Sequence, residues 1–471
     1  MFCPDSSFRP RLQVASEDQI DHLHEATLEV LERTGIQVTH PRALELFDGA
    51  GAQVDGDRVR IPAWLVEDAI QTAPSRVVLG DRSGRRSVFL EGTKVWFGPS
   101  VDCIDYLDPL TDERRRFVSD DCAITSTVAD ALPNYTWVMT IGMADDVPPD
   151  IADRVIAKQV FSHTVKPLVF CCKDVDSVRD IYEMAVLIAG GEEAFRRAPT
   201  CVHYSEPISP LLYYDPAVEK IITCAEKGIP LINFPAPQAG STAPATFAGE
   251  VVQGSAESLS GLVLAQLVRP GAPFIYGAFT TIMDMATTAF SYGAPEMNLM
   301  AYHMAELARG YGLPFFGMSG CSDAETPDAQ AAAEATFSCL NAALSGADMV
   351  HDNGWLDSAT LVSPEYMVLV DEIIAMVQQY MKGVGLEEEQ MALDVIDRVG
   401  PGGHFLMEEH TMRHFRDIWY PQLFDRSPGN TAGRRDISSR IRERTRSLLA
   451  TDPHPLPRNL QKELEELASR W

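Results

Sequence analysis

The sequence predicts an α/β fold, a TIM (β/α)8 barrel with an N-terminal cap and a helical C-terminal extension. Over residues 91–384 one unit recurs: a short apolar run, a polar or Gly/Pro-rich loop, then an amphipathic stretch rich in Ala, Leu and Val. The apolar runs start roughly 30 to 45 residues apart, the length of a strand plus a crossover helix. A doubly wound open sheet is the alternative, but it does not need eight such units.

Eight strands and seven helices follow from this pattern. The predicted strands are residues 95–97, 136–139, 168–171, 201–204, 231–234, 274–277, 314–317 and 349–352. The predicted helices are residues 151–162, 176–189, 217–227, 249–268, 296–310, 328–345 and 364–382. Most strands are continuous apolar runs, which is typical of strands buried on both faces. In such a barrel the active site lies at the C-terminal ends of the strands.

The flanking segments exceed what a minimal barrel requires, so we predict three parts: 1–90, 91–384 and 385–471. Ser16 followed by Gln19 indicates a helix start, and Gly35 is a natural stop for that helix. The first part is expected to be a small helical cap with one hairpin. The third part is expected to be helix-rich and to pack on the barrel.

Composition excludes several classes of protein. A formal charge of −28 argues against a nucleic-acid partner, whose phosphates would be repelled. The nine cysteines contain no CxxC pair. The first ten residues lack the basic region and apolar core of a signal peptide, and no apolar run approaches the length of a membrane span. We therefore expect a cytoplasmic protein with no membrane partner.

The predicted strand ends carry many aromatic side chains and few charges. Those we select as candidates are Trp96, His203, Tyr204, Phe234, Tyr276, Phe316, Cys321 and Trp355. Aromatic rings at the mouth of a barrel favour binding of a quaternary ammonium group by cation–π attraction. For any single ring the alternative is a place in the barrel interior.

His203 and His351 follow different strands, and Asp352 follows the second histidine. A catalytic zinc site needs three protein ligands, and neither H-x-H nor H-E-x-x-H spacing occurs in the barrel. We therefore predict no metal site, and interpret His351 as a neutral hydrogen-bonding group oriented by Asp352. A structural role for His351 is the alternative. A metal-dependent hydrolase using these three residues remains the rival enzyme.

The run Gly240-Ser241-Thr242 precedes a predicted helix. Free backbone amides at a helix start suit an anionic group such as a carboxylate. A simple N-cap without function explains the same sequence.

Several motifs, taken together, resemble the trimethylamine methyltransferase superfamily. They are LEVLERTG at 28–35, PISPL at 207–211, GSTAPAT at 240–246, PGAP at 270–273 with Tyr276-Gly277, GAPE at 293–296 and VGPGGHFL at 399–406. The resemblance covers nearly the whole chain, and the motifs occur in the family's order.

The resemblance implies a TIM barrel that passes a methyl group from a methylated amine to the cobalt of a separate corrinoid protein. Trimethylamine enzymes of this family carry pyrrolysine, at a position that falls near Gly320-Cys321-Ser322-Asp323. This chain has standard residues there. The resemblance therefore favours the non-pyrrolysine branch, which acts on quaternary amines such as glycine betaine.

The working hypothesis is a corrinoid-dependent methyltransferase acting on a betaine, with His351 and Asp352 as catalytic residues. The proposed ammonium cage is Trp96, Tyr204, Phe234, Tyr276, Phe316 and Trp355, with His203 and Cys321 as further substrate contacts. His351 and the amides of Gly240, Ser241 and Thr242 would bind the carboxylate. The corrinoid belongs to a partner protein, no metal is tightly bound, and homo-oligomers are expected. A non-catalytic betaine-binding or corrinoid-protein-docking module is a further alternative.

Overall fold

The structure is a computed structural model that describes residues 10–92, 94–426, 436–450 and 454–471. It contains a barrel of eight parallel strands. These are β1 (Trp96–Phe97), β2 (Val138–Met139), β3 (Leu168–Phe170), β4 (Cys201–Ser205), β5 (Leu231–Asn233), β6 (Phe274–Tyr276), β7 (Phe316–Met318) and β8 (Met349–His351). Every strand predicted from the sequence is present, and the TIM-barrel class is confirmed.

The hydrogen-bonded neighbours show how the barrel closes. Strands β2 to β6 form one parallel sheet in chain order, and β7, β8 and β1 form a second. A parallel bridge between Phe97 and Tyr135 connects β1 to the start of β2. Another, between Tyr276 and Phe315, connects β6 to β7. The two sheets therefore form one closed cylinder.

One helix follows each strand. These are α1 (Ser119–Ala131), α2 (Ala152–His163), α3 (Val175–Ala189), α4 (Asp215–Lys227), α5 (Phe247–Val268), α6 (Pro295–Tyr311), α7 (Ala329–Ser345) and α8 (Pro364–Tyr380). All seven predicted helices are present with ends within a few residues. The pattern missed α1, whose sequence SDDCAITSTVADA is rich in Ser, Thr and Asp. These residues favour caps and turns over helix interiors.

Alternation along the strands decides which side chains enter the barrel. On β4, Val202 and Tyr204 belong to the inner apolar cluster, whereas Cys201 belongs to the outer cluster between strands and helices. The inner cluster is tightly packed. A Cβ on Gly98 would lie 2.4 Å from the ring of Trp137, so only glycine lets this part of the chain approach that ring.

A hairpin closes the N-terminal end of the barrel. Its strands are Val77–Gly80 and Arg86–Leu90, and Leu79 and Val88 belong to the inner cluster. The indole N–H of Trp96 donates to the carbonyl of Phe89 at 2.8 Å. A second hairpin joins Gln53–Asp55 to Arg58–Arg60. The N-terminal segment thus has two hairpins, and the expectation of one is corrected.

The other N-terminal elements cover one side of the barrel. They are Glu17–Glu29, the π-helical turn Val30–Thr34, the strand Ile36–Val38, Pro41–Gly49 and Ala63–Thr72. Ser16 and Gln19 form the predicted capping box, and Gly35 has a φ of 68°. Glu17–Glu29 and Ala63–Thr72 pack on α5. Among the described residues, α5 is the one helix apolar and long enough to cross a membrane, and 83% of its most apolar window is buried.

Short strands lie over the C-terminal end of the barrel. Asp105–Leu107 pairs with Arg114–Arg116 and with Leu361–Val362, which pairs with Trp355–Leu356. Gln238–Ala239 pairs with Thr281–Ile282. These strands belong to the loops that surround the barrel mouth. A strand at Leu212–Tyr213 pairs with Ile36–Val38, and a short helix spans Glu192–Arg197.

The C-terminal segment contains the helices Glu388–Met391, Leu393–Val399, Glu409–His414, Ile437–Leu449 and Arg458–Ala468, and a 3-10 turn at Phe415–Asp417. Ile437–Leu449 packs on α1 and α8, and Arg458–Ala468 packs on α2 and α3. The first three helices bury little, so packing on the barrel is a property of the last two. The three-part domain division stays a prediction.

Replacement of Asp348 by Asn should change how stability depends on pH. Burial raises the pKa of Asp348 to about 7, against the opposing hydrogen bond from the Phe315 N–H at 2.9 Å. The unfolded chain ionises near pH 4, so folding binds a proton and the wild-type free energy of unfolding falls as pH rises towards about 7. Asn does not titrate. The variant should gain about 1.4 kcal/mol per pH unit relative to wild type in this window. Urea denaturation across this range tests it, and parallel pH curves would contradict it.

Candidate functional site

Four rings, one each from β4, the end of β5, β7 and β8, meet inside the barrel below its C-terminal mouth. His351 stacks on Phe316 with ring centroids 4.5 Å apart and an interplanar angle of 25°. Phe234 presents an edge to His351 at 5.2 Å, and Tyr204 lies 5.9 Å from it. Phe234 and Phe316 are fully buried. The two phenyl rings therefore fix the position of the His351 ring, and neither of them is exposed to solvent.

His351 and Asp352 lie side by side with unused hydrogen-bonding capacity. His351 Nδ1 is 2.8 Å from Asp352 Oδ1, but both ring nitrogens lack a partner in hydrogen-bond geometry, and so does Asp352 Oδ2. Ser100 Oγ donates to Asp352 Oδ1. Asp352 also has a φ of 73°, an unfavourable conformation for a residue with a side chain. Buried polar atoms without partners indicate a place where a polar ligand group binds.

Two further carboxylates lie deep in the mouth, surrounded by protein yet open to solvent. Burial raises the pKa of Asp102 to about 7, and the negative charge of Glu206 raises it further. Burial also raises the pKa of Glu206, against a hydrogen bond from the Tyr204 hydroxyl that opposes the shift. With Asp352, the mouth holds three acids, so the expectation of few charges is corrected. Those of them that are ionised give the mouth a negative potential, which attracts a cation.

Loops after β6, β7 and β8 are joined at Asp323. Its carboxylate accepts hydrogen bonds from Ser291 Oγ at 2.7 Å, from the Tyr292 N–H at 2.7 Å and from Ser358 Oγ at 2.8 Å. Tyr292 packs against the inner cluster, and burial and the nearby Asp352 raise its pKa well above the ordinary value. Asp323 therefore fixes Tyr292 at the mouth.

Four predicted substrate contacts lie elsewhere. Tyr276 points out of the barrel, with its hydroxyl 3.8 Å from Met304 Sδ on α6. Trp355 is fully buried in the outer cluster. Trp96 lies at the opposite end, beside the hairpin that closes the barrel. His203 alternates outward, with Nδ1 3.2 Å from the Phe170 carbonyl oxygen. The structure does not bring these four to the mouth, because strand alternation and strand length place them otherwise.

The backbone amides of the turn at Gly240 already donate hydrogen bonds within that turn. The N–H groups of Ser241 and Thr242 donate to the Gln238 carbonyl at 3.0 Å and 3.1 Å, and that of Gly240 donates to the Ala243 carbonyl at 3.1 Å. The expectation that these amides bind a carboxylate is therefore corrected, because the turn that follows Gln238–Ala239 consumes them.

The histidines do not form a metal site. Within the described ranges, no group of three or more His, Cys, Asp or Glu side chains is placed to hold a metal ion. Burial and the nearby Lys220 keep the pKa of His203 well below its ordinary value, so this outward-facing ring is neutral. His203 and His351 lie on opposite faces of the barrel wall, which removes the ligand set of the rival hydrolase.

Comparison with known proteins assigns the family. A family model described as trimethylamine methyltransferase (MTTB) matches residues 6–470. The chain belongs to the trimethylamine methyltransferase family. The resemblance inferred from the sequence motifs is thereby confirmed, and the protein is a methyltransferase.

Two relatives illustrate the range of this family. The trimethylamine methyltransferase MttB of Desulfitobacterium hafniense is 34% identical over 458 residues, covering 96% of this chain and 92% of the relative. The glycine betaine methyltransferase of another D. hafniense strain is 33% identical over 443 residues, covering 93% and 92%. The crystal structure of the monomethylamine methyltransferase MtmB of Methanosarcina barkeri matches the fold with a TM-score of 0.52, 12% identity and coverage of 97% and 89%.

In this methyltransferase, Cys321 lies in the loop that follows β7. It is 3% exposed, and burial raises the pKa of its thiol well above the ordinary value. The thiol is therefore protonated at neutral pH and is a poor nucleophile.

Sequence reasoning left Ser100, Asp102, Glu206 and Tyr292 out of the site. A signal existed for Glu206, because Val202 and Tyr204 face inward on β4 and Glu206, one residue past the end of that strand, continues the same alternation. No comparable signal existed for Asp102, which follows β1 in an irregular segment with a φ of 54°. Tyr292 is placed by a side chain from a different loop.

Proposed function

We propose that this protein transfers a methyl group from a quaternary amine of the betaine type to Co(I) of a separate, cytoplasmic corrinoid protein. Family membership and the relatives named for methylated amines support this activity. The observation that carries the proposal is the combination at the barrel mouth of Tyr204, His351 and three carboxylates, with unpartnered polar atoms among them.

A quaternary ammonium group has no N–H to donate. Aromatic faces and negative charge are therefore the means by which a protein binds it. We assign the aromatic faces to Tyr204 and Tyr292 and the negative charge to Glu206. Phe234 and Phe316 support the ring of Tyr204 from inside the barrel. The three rings Trp96, Tyr276 and Trp355 are left out of the cage.

The carboxylate of a betaine needs hydrogen-bond donors. Asp102, with a pKa of about 7, is about half protonated at neutral pH and in that form donates a hydrogen bond. The unpartnered nitrogens of His351 offer a second donor. The hydrogen bond from Ser100 Oγ holds the Asp352 carboxylate beside that ring.

The chain's own residues orient the substrate and exclude water from the reacting methyl group. No protein group has to move a proton, because the tertiary amine leaves neutral. The corrinoid, when its protein is docked at the mouth, supplies the cobalt nucleophile that accepts the methyl group. Standard residues at 320–323 favour a quaternary amine, whose methyl group is already electrophilic.

A ligand screen followed by a transfer assay tests this proposal. Thermal unfolding is measured with glycine betaine, proline betaine, carnitine, choline and trimethylamine, since a ligand of the folded state raises the midpoint. The ligand that binds is then assayed with Co(I) cobalamin, whose absorbance changes on methylation. We expect a shift with quaternary amines, and methyl transfer from the one that binds. Binding without a cobalt change indicates a binding module, and no binding with any quaternary amine overturns the substrate class.

A further inference from the structure

Four neighbouring barrel strands are followed by polar side chains on one side of the mouth. Asp102 follows β1, Thr140 follows β2, Cys171 follows β3 and Glu206 follows β4. The Thr140 carbonyl accepts the Asp102 N–H at 3.3 Å, and its hydroxyl accepts the Cys171 N–H at 3.2 Å. The Cys171 thiol faces the Asp102 carboxylate, a contact that favours the ionised acid. We call Asp102 and Glu206 the acid pair.

A lysine lies behind this row of side chains, on the side of the barrel helices. Lys220 belongs to α4 and is 4% exposed, and its Nζ donates to the Cys172 carbonyl at 2.7 Å. It forms no ion pair with any carboxylate that the structure describes. Lysine is rarely buried without such a partner, because the free-energy cost of burying a charge has to be offset by opposite charge.

The nearby charge that offsets this cost belongs to the mouth. Burial by itself lowers the pKa of Lys220, but the surrounding thiols, Tyr214 and Glu206 raise it above the ordinary value. Lys220 is therefore a cation at neutral pH. In return it acts on the acid pair. Burial raises the pKa of Glu206, and among the charged groups Lys220 opposes that rise most. Lys220 also opposes the rise caused by burial in the pKa of Asp102.

Other titratable groups face this cluster from the elements around it. Those facing Lys220 are Asp153 of α2, Cys171, Cys172, His203, Tyr214 and Cys224. Those facing the acid pair are Tyr204, Tyr292, His351 and Asp352. Burial raises the pKa of the three thiols and holds that of His203 well below its ordinary value, so these four keep one charge state near neutral pH. Outside the mouth, Asp153 is the acid that competes with the acid pair for Lys220.

We propose that Lys220 is a positioning residue that acts through the acid pair: its buried charge keeps the mouth negative for an arriving quaternary ammonium group. This inference rests on the proposed function, which brings such a group to the mouth. Lys220 also repels the ligand directly. That repulsion acts from behind the barrel wall, whereas the acids lie in front of it and attract the ligand from a shorter distance.

Binding of tetramethylammonium at different pH values tests this role, because the probe has the ammonium group and no carboxylate. Lys220→Gln removes the charge and keeps a donor for the Cys172 carbonyl. Loss of an opposite charge raises the pKa of an acid by about one unit, so calorimetry should show up to about tenfold weaker binding on the acid side. At alkaline pH the acids are ionised in both proteins. There the variant should bind at least as tightly as the wild type.

Two further variants complete this measurement. Lys220→Arg keeps the charge and should restore the wild-type pH profile. Lys227→Met, at the exposed C-terminal end of the same helix, is the matched control and should leave the profile unchanged. Weaker binding by Lys220→Gln at every pH, including alkaline pH, would show that Lys220 only supports the loop after β3, and would overturn the proposal.

The free energy of unfolding tests the coupling without a ligand. Removing Lys220 raises the folded-state pKa of the acid pair, so the folded variant keeps its protons to higher pH. Its stability relative to the wild type should therefore fall as pH rises through about 7, the pKa of Asp102. When Asp102→Asn and Glu206→Gln are combined, the effect of Lys220→Gln should not depend on pH. Urea denaturation measures it, and Lys220→Met replaces the glutamine variant if that one does not fold.

Each other outcome of the unfolding measurements counts against the proposal. An effect of Lys220→Gln that is equal at every pH removes the coupling. A pH-dependent effect that persists without the acid pair assigns the coupling to Asp153 instead. A wild type that binds tetramethylammonium at no pH rejects the proposed function, and the unfolding measurements still decide whether Lys220 acts on the acid pair.

Discussion

Replacing Glu206 with Gln should lower kcat/KM for the quaternary amine on the order of 100-fold, about 2.7 kcal/mol in transition-state stabilisation. Glu206 lies at the mouth, surrounded by protein but open to solvent, and accepts the hydrogen bond of Tyr204. Gln keeps the size and the acceptor but removes the negative charge that offsets the ammonium group. Charge interactions are strongest where protein surrounds the pair, so this charge outweighs those on the surface.

The pH profile gives the signature of this role. Burial raises the pKa of Glu206, so the wild-type carboxylate loses its charge as pH falls through that raised value. Wild-type kcat/KM should fall on the acid side, and this limb should be weaker in Glu206→Gln. Glu193→Gln, on the exposed face of Glu192–Arg197, is the matched control and should keep the wild-type profile. Equal kcat/KM and equal acid limbs in wild type and Glu206→Gln would remove Glu206 from the site.

The period of the apolar pattern was sufficient to predict the barrel, because each strand is a buried run and each helix a separate amphipathic stretch. The same pattern did not place the site. The pattern places both His203 and Tyr204 at the mouth, although adjacent residues of a strand face opposite sides. Only Tyr204 enters the barrel. Strand alternation excludes His203 and, continued one residue past the end of β4, includes Glu206.

Other parts of the site depend on contacts that the sequence pattern does not encode. Trp96 was placed at the mouth because the apolar run ends near it, whereas the chain continues past Phe97 to Ser100 and Asp102 before it leaves the barrel. The amides near Gly240 were expected to be free, but the Gln238 carbonyl accepts two of them. Hydrogen-bond partners in an irregular loop follow from its three-dimensional course.

Phe316→Ala should be the most destabilising single change in the inner cluster that we consider. The ring is fully buried and lies 4.5 Å from His351, 5.2 Å from Phe234 and 6.0 Å from Trp137, measured between centroids. Removing it leaves a cavity between strands, at a cost of about 3 to 5 kcal/mol in the free energy of unfolding. His351 also loses its stacking partner, so methyl transfer should fall in the fraction that remains folded. Urea denaturation and the cobalamin assay measure the two effects.

A second substitution separates packing from orientation. Phe316→Leu keeps most of the volume and should cost less than about 1.5 kcal/mol of stability, but it still removes the flat face on which His351 lies. If that face orients the histidine for the substrate, kcat/KM falls in the leucine variant while its stability stays close to that of the wild type. Phe337→Ala on α7, where the ring is 48% exposed, should change neither quantity. A leucine variant with full activity would show that Phe316 contributes volume alone, and that the geometry of His351 is held by Phe234 and Asp352.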